Sequence, residues 1–107
     1  METGSITQHI SGLFKAYDYE SLSITSSVKQ LTLSKIENSE GSAKRIIMTV
    51  EDGQIRYRYD STDPTSSEGH TLNPFDVLVL QGTANIKALR MIKKGTRNGK
   101  IRVTFER

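Results

Sequence analysis

Residues 44–60, KRIIMTVEDGQIRYRYD, decide the fold class. Before Asp52-Gly53, Ile46, Met48 and Val50 alternate with Arg45, Ile47, Thr49 and Glu51; after it, Ile55, Tyr57 and Tyr59 alternate with Arg56, Arg58 and Asp60. Side chains two apart share a face of a strand, so each run predicts a strand with an apolar face and a charged one. Asp-Gly at the join favours a type I′ turn, whose two central residues both need positive φ, and the whole segment predicts a β-hairpin.

Outward from this segment the same signals recur. Asn98-Gly99 lies between a run ending near Lys93 and residues 100–106, where Ile101, Val103 and Phe105 alternate with Arg102, Thr104 and Glu106; a second, terminal hairpin is predicted there. Val77, Leu78, Val79 and Leu80 follow one another without alternation, as suits a central core strand covered on both faces. In residues 21–35, Leu22 and Ile24 fall on one parity and Leu31 and Leu33 on the other, which predicts two short strands separated by a turn or bulge at Ser26-Ser27. ENSEGS at 37–42 and STDPTSSEG at 61–69 read as polar loops, the second nucleated by Asp63-Pro64. Strands at this spacing predict an all-β domain over residues 21–107, an antiparallel β-sandwich or small jelly-roll-like barrel. Residues 1–20 read differently: Ile6, Ile10, Leu13, Phe14 and Tyr17 share a helical face behind a Ser5/Gln8 capping box, giving a short amphipathic helix or arm. That arm either caps the open end of its own domain or binds a partner through those five residues.

A chain of 107 residues is enough for one such domain. It has no cysteine, which excludes disulfides, thiolate metal sites and cysteine nucleophiles. It contains no apolar run of membrane-spanning length, and its N-terminus lacks a basic segment followed by an apolar one, so neither a span nor a secretory signal is expected. The net charge of +3 is unevenly spread: residues 84–107 hold eight basic residues against Glu106 alone. A basic end after an acidic body suits docking on acidic protein surfaces, nucleic acid or another copy of the chain, or else protects strand edges from pairing.

Little in the sequence carries catalytic chemistry. The two histidines are His9 and His70, and no serine stands in a G-x-S-x-G elbow. GTRNGK at 95–100 has the wrong spacing for a phosphate loop and opens no helix. Asp60, Asp63, Glu68 and His70 cluster as a hard cation would want, but carboxylates also serve loops through backbone hydrogen bonds, and that is the role expected here. In RYRY, strict alternation sends arginines and tyrosines to opposite faces, which argues against base stacking and so against nucleic acid. A non-enzymatic chain without metal, cofactor or small-molecule substrate is expected.

Residues 55–107 resemble a pattern in short phage-encoded proteins. Its elements here are the aromatic-Arg-Tyr-Asp strand at residues 56–60, the Thr62-Asp63-Pro64-Thr65 turn, Gly69-His70, the apolar strand at 77–80 and the closing Val103-Thr104 strand. The resemblance implies a virion structural protein on the head surface, a capsid decoration protein that binds the major capsid protein and copies of itself, with a trimer as one arrangement. Asp60, Thr62, Asp63, Thr65, Gly69 and His70 would then structure the loop. Two alternatives remain open: a tail, fibre or head-tail joining component, and a receptor- or carbohydrate-binding module using Phe14, Tyr17 and Tyr19.

Overall fold

The alternation on either side of Asp52-Gly53 is realised as two strands, but they belong to different sheets. The computed structural model describes residues 13–107. Along them run β1 (Ala16–Ile24), α1 (Leu33–Ile36), β2 (Glu37–Asn38), β3 (Gly41–Ser42), β4 (Arg45–Asp52), β5 (Ile55–Arg58), β6 (His70–Leu72), β7 (Val77–Gln81), α2 (Thr83–Ala88), β8 (Arg90–Lys93) and β9 (Gly99–Glu106). Four strands form one sheet in the order β1-β9-β4-β7, three form another in the order β6-β5-β8, and β2 pairs with β3. All these pairings are antiparallel, and the fold is all-β and sandwich-like, as expected.

The period-2 pattern sets what each sheet buries. Ile46, Met48 and Val50 of β4 and Ile101, Val103 and Phe105 of β9 are all at most 1% exposed. The other sheet adds Ile55, Leu72 and Met91 to the same core, and the two short helices add Ile36 and Ile86. Full burial of each such side chain is worth about 1.5–3 kcal/mol relative to water.

Neither predicted hairpin forms. β4 pairs with β7 and β9 while β5 pairs with β6 and β8; β8 lies against β5, and β9 lies between β1 and β4. Asp52-Gly53 and Asn98-Gly99 are instead corners where the chain passes from one sheet to the other. Of these four residues only Gly53 has positive φ, at 73°, so neither corner is a type I′ turn. The β4–β9 register slips between Val50 and Asp52, a bulge that bends β4 into its corner. The corners also pack on each other: a Cβ on Gly53 would stand 2.6 Å from the Asn98 carbonyl oxygen and 2.9 Å from Gly99 Cα. A Cβ on Gly99 would overlap Ile55 Cγ2. The glycines supply room for two backbones to cross.

Residues 77–80 are not the central strand. β7 is an edge strand in which Leu80 is buried, Val77 and Leu78 are half-buried and Val79 is 40% exposed; the centre belongs to β9 and β4. Apolar runs record low polarity on both faces, but position in a sheet depends on which distant strands pair. The N-terminal expectation changes too. β1 pairs with β9 from Ala16↔Glu106 to Ile24↔Gly99, and Lys15 and Arg107 extend the ladder with two backbone hydrogen bonds of 2.9 Å. Residues 16–20 are therefore strand, not helix, and the boundary expected between residues 20 and 21 falls inside β1. A long antiparallel ladder outweighs one short amphipathic turn, which is marginal alone. After the bend at Ser26-Ser27, residues 28–35 hold one isolated bridge, Lys29↔Met91, and α1, where a second strand was expected.

Candidate functional site

β5 carries the loop of residues 61–69 on its arginines. Arg56 donates from Nε to the Ser66 carbonyl (2.9 Å) and from Nη1 to the Gly69 carbonyl (2.8 Å) and Thr71 Oγ1 (3.2 Å). Arg58 grips the Asp60 carboxylate through Nε and Nη2 at 3.1 and 2.6 Å, and the same carboxylate accepts from the Thr62 backbone N–H at 3.3 Å. Asp63 pairs with Arg90 at 2.9 Å. Thr65 Oγ1 accepts from the backbone N–H groups of Ser67 and Glu68, while the Thr65 N–H donates to the Glu68 carbonyl. Gly69 sits at φ 134°, with Pro64 Cβ and the Tyr57 carbonyl each 3.2 Å from where a Cβ would be, so a side chain would be both strained and crowded. Among the described residues the His70 side chain makes no hydrogen bond to this loop; its ring rests on Tyr57, centroids 5.2 Å apart.

These residues wall a cleft of about 590 Å³ lined by Arg58, Tyr59, Asp60, Glu68, Gly69, His70 and Asn85. Tyr59, expected on the apolar face with Ile55 and Tyr57, is 43% exposed at its edge. Its ring lies nearly parallel to Tyr57 (19°, centroids 6.4 Å apart). Sequence reasoning had Asp60, Gly69 and His70 as loop residues. It weighed Arg56, Arg58 and Tyr59 only as a nucleic-acid face and missed Asn85, since nothing local ties a residue of α2 to β5. Among the described residues no three His, Asp or Glu side chains gather as a metal would require.

Electrostatics around the domain are pairwise. The Arg58 guanidinium and the Thr62 N–H hold the Asp60 carboxyl below the usual range. The Tyr19 backbone N–H, then Lys35, do the same for Asp18, and Lys87 does so for Glu37. Carboxyls lowered in the folded state stabilise it above their unfolded pKa, and that contribution disappears as pH falls through the folded values. Burial raises Tyr17 and Tyr57, so the opposite limb lies at high pH, where stability declines as pH rises through about 10. Calorimetry should thus find the unfolding temperature flat from about pH 6 to 9 and falling below about pH 4. An unfolding temperature unchanged down to about pH 2 would contradict these assignments.

The residues expected to form a partner-binding arm are divided by the structure. Ile6 and Ile10 lie outside the described residues, and Leu13 is 85% exposed. Phe14 is half-buried beneath Arg45, whose Cζ is 4.5 Å from the ring centroid. Tyr17 turns inward: its ring is 6.4 Å from Phe105, its hydroxyl donates to the Lys35 carbonyl, and the Arg107 Cζ stands 3.8 Å above it. Phe14, Tyr17 and Tyr19 therefore form no common aromatic platform. The basic end is partly neutralised. Lys87, Arg90, Arg97, Arg102 and Arg107 pair with Glu37, Asp63, Asp52, Glu51 and Glu40 from earlier in the chain, while Lys93, Lys94 and Lys100 form no ion pair among the described residues.

A second feature stands at the corner before β7. The Asp76 N–H donates to the Asn73 carbonyl at 3.0 Å across Pro74-Phe75, the Asn73 N–H donates to Asp76 Oδ2 at 2.7 Å, and the Phe75 N–H donates to the Val50 carbonyl at 2.7 Å. Phe75 has φ 75° and is 85% exposed. That is the third position of a type II turn, where glycine is the ordinary occupant. No family model, no curated protein and no solved structure matches this chain.

Proposed function

We propose that this chain is a non-enzymatic assembly domain that binds other protein subunits, and that its specific role is the one implied by the phage resemblance, decoration of a capsid shell. The observation that carries the binding reading is Phe75. A bulky residue at positive φ costs about 1–2 kcal/mol over glycine, and an exposed ring recovers none of it within the domain. Strain of this kind, held in place by two backbone hydrogen bonds and one to the Asp76 carboxylate, belongs to contacts made outside the fold. Covering the ring in a partner is worth about 1.5–3 kcal/mol per copy, and a lattice sums many such contacts.

The test substitutes Phe75→Gly. The variant should melt at the same temperature as the parent or a few degrees higher, while binding to empty phage heads in a pelleting assay weakens at least tenfold. A parent protein that stays in the supernatant, or a variant that pellets equally well, overturns the proposal. Sedimentation velocity on the free protein reads self-association separately.

A further inference from the structure

The cleft beside the loop of residues 61–69 has a composition that neither the loop's own architecture nor the Phe75 contact uses. We propose that it is a binding site for a neutral sugar, with Tyr59 as the stacking face and Glu68, His70 and Asn85 as the hydroxyl-binding groups. This inference does not depend on the capsid reading.

The cleft disfavours anions and bare metal ions. Arg58 is its one arginine, and the Nε–Nη2 edge of its guanidinium is committed to Asp60, at 3.1 and 2.6 Å. The pair is neutral, and Glu68 adds a negative charge on the same wall, so carboxylates outnumber the one guanidinium and an anion such as phosphate is disfavoured there. A bare metal ion is equally unsuited, because no three ligating side chains gather among the described residues.

What remains is an aromatic face set among planar polar groups. The ring of Tyr59 lies offset and nearly parallel to that of Tyr57, and Tyr57 in turn is packed on the core and against His70. A half-exposed ring held in this manner loses little freedom on binding. The axial C–H face of a pyranose is apolar and flat, and suits such a ring. Its hydroxyls need neighbours that both donate and accept. Among the described residues the Glu68 carboxylate and the His70 imidazole make no side-chain hydrogen bonds, so their capacity is open to a ligand. The Asn85 amide is oriented by donation from Nδ2 to the Gln81 carbonyl at 3.0 Å, which leaves Oδ1 to accept. A volume of about 590 Å³ holds one or two sugar rings and lies within the usual span of small-ligand sites.

The experiment is an amide chemical-shift titration of the full chain with four neutral probes: maltotriose, cellotriose, chitotriose and mannotriose. Inorganic phosphate and a heparin hexasaccharide serve as anionic comparators. At least one neutral probe should saturate shifts centred on residues 58–60, 68–70 and 85, while phosphate leaves those amides unmoved. Tyr59→Ala should weaken that binding at least tenfold. Asn85→Ala, on a separate element, should weaken it several-fold with an unchanged spectrum elsewhere, which keeps the test valid if the tyrosine variant misfolds. Failure of all four neutral probes to move these amides, or a response to the anions alone, overturns the proposal. Either outcome leaves the Phe75 test untouched.

Discussion

Replacing Glu106 by alanine is expected to cost about 3–5 kcal/mol, a large share of the stability of a domain this size. Arg45 and Glu106 face each other in the β4–β9 register and are bonded through Nε and Oε1, with side chains only 3% and 2% exposed. Phe14 closes over the guanidinium. Without the carboxylate, the arginine is a buried charge that cannot neutralise itself, because guanidinium does not lose its proton in the accessible pH range. The reverse deletion, Arg45→Met, leaves the buried Glu106 carboxylate without its partner and should also destabilise the fold. The double replacement Arg45→Met/Glu106→Leu should recover most of the loss, since removing both charges also removes their desolvation. Urea unfolding of the three variants checks this, with the first shifted by more than about 10 °C in a parallel thermal scan. A Glu106→Ala loss below about 1 kcal/mol would mean that water reaches the pair.

Gly53→Ala is the second large effect. In a simple two-residue hairpin the change would cost about 1 kcal/mol, from the loss of glycine's freedom at positive φ. Here the added methyl also meets the backbone of Asn98 and Gly99, at 2.6 Å from the nearer carbonyl oxygen, and backbone cannot rotate away as a side chain would. Strain and overpacking together should remove roughly 2–5 kcal/mol. Equilibrium denaturation decides between the two geometries. A loss near 1 kcal/mol points to a hairpin, and a loss several times larger points to two crossed corners.

Much of the fold was legible because burial in a strand is a local, alternating property. Ile46, Met48, Val50, Ile101, Val103 and Phe105 face the core as their spacing indicates. Pairing is not local. Asp52-Gly53 and Asn98-Gly99 announce that the chain turns, but a corner between sheets and a hairpin within one demand the same small, permissive residues. The exposed edge position of Val79 was hidden for a related reason. An apolar run looks alike whether the chain itself or another molecule is to cover it. At the cleft, Asp60 and Gly69 could be read from turn chemistry, whereas Tyr59 was misplaced by assuming that the alternation of β5 continues beyond Arg58. Asn85 arrives from α2, and only the folded arrangement brings it near.

The place of β9 bears on how the protein comes into being. Among the described residues β9, residues 99–106, lies between β1 and β4 and is the only strand that joins them. During synthesis both earlier strands must wait with an unpaired edge until these eight residues have emerged, and β1 waits longer than β4. Closing so long a loop is entropically slow, and a nascent chain in that condition is prone to pair with its neighbours on the polysome. Chains halted before residue 99 should therefore be found in aggregates or with chaperones, and translation speed over the codons of β9 becomes a determinant of yield.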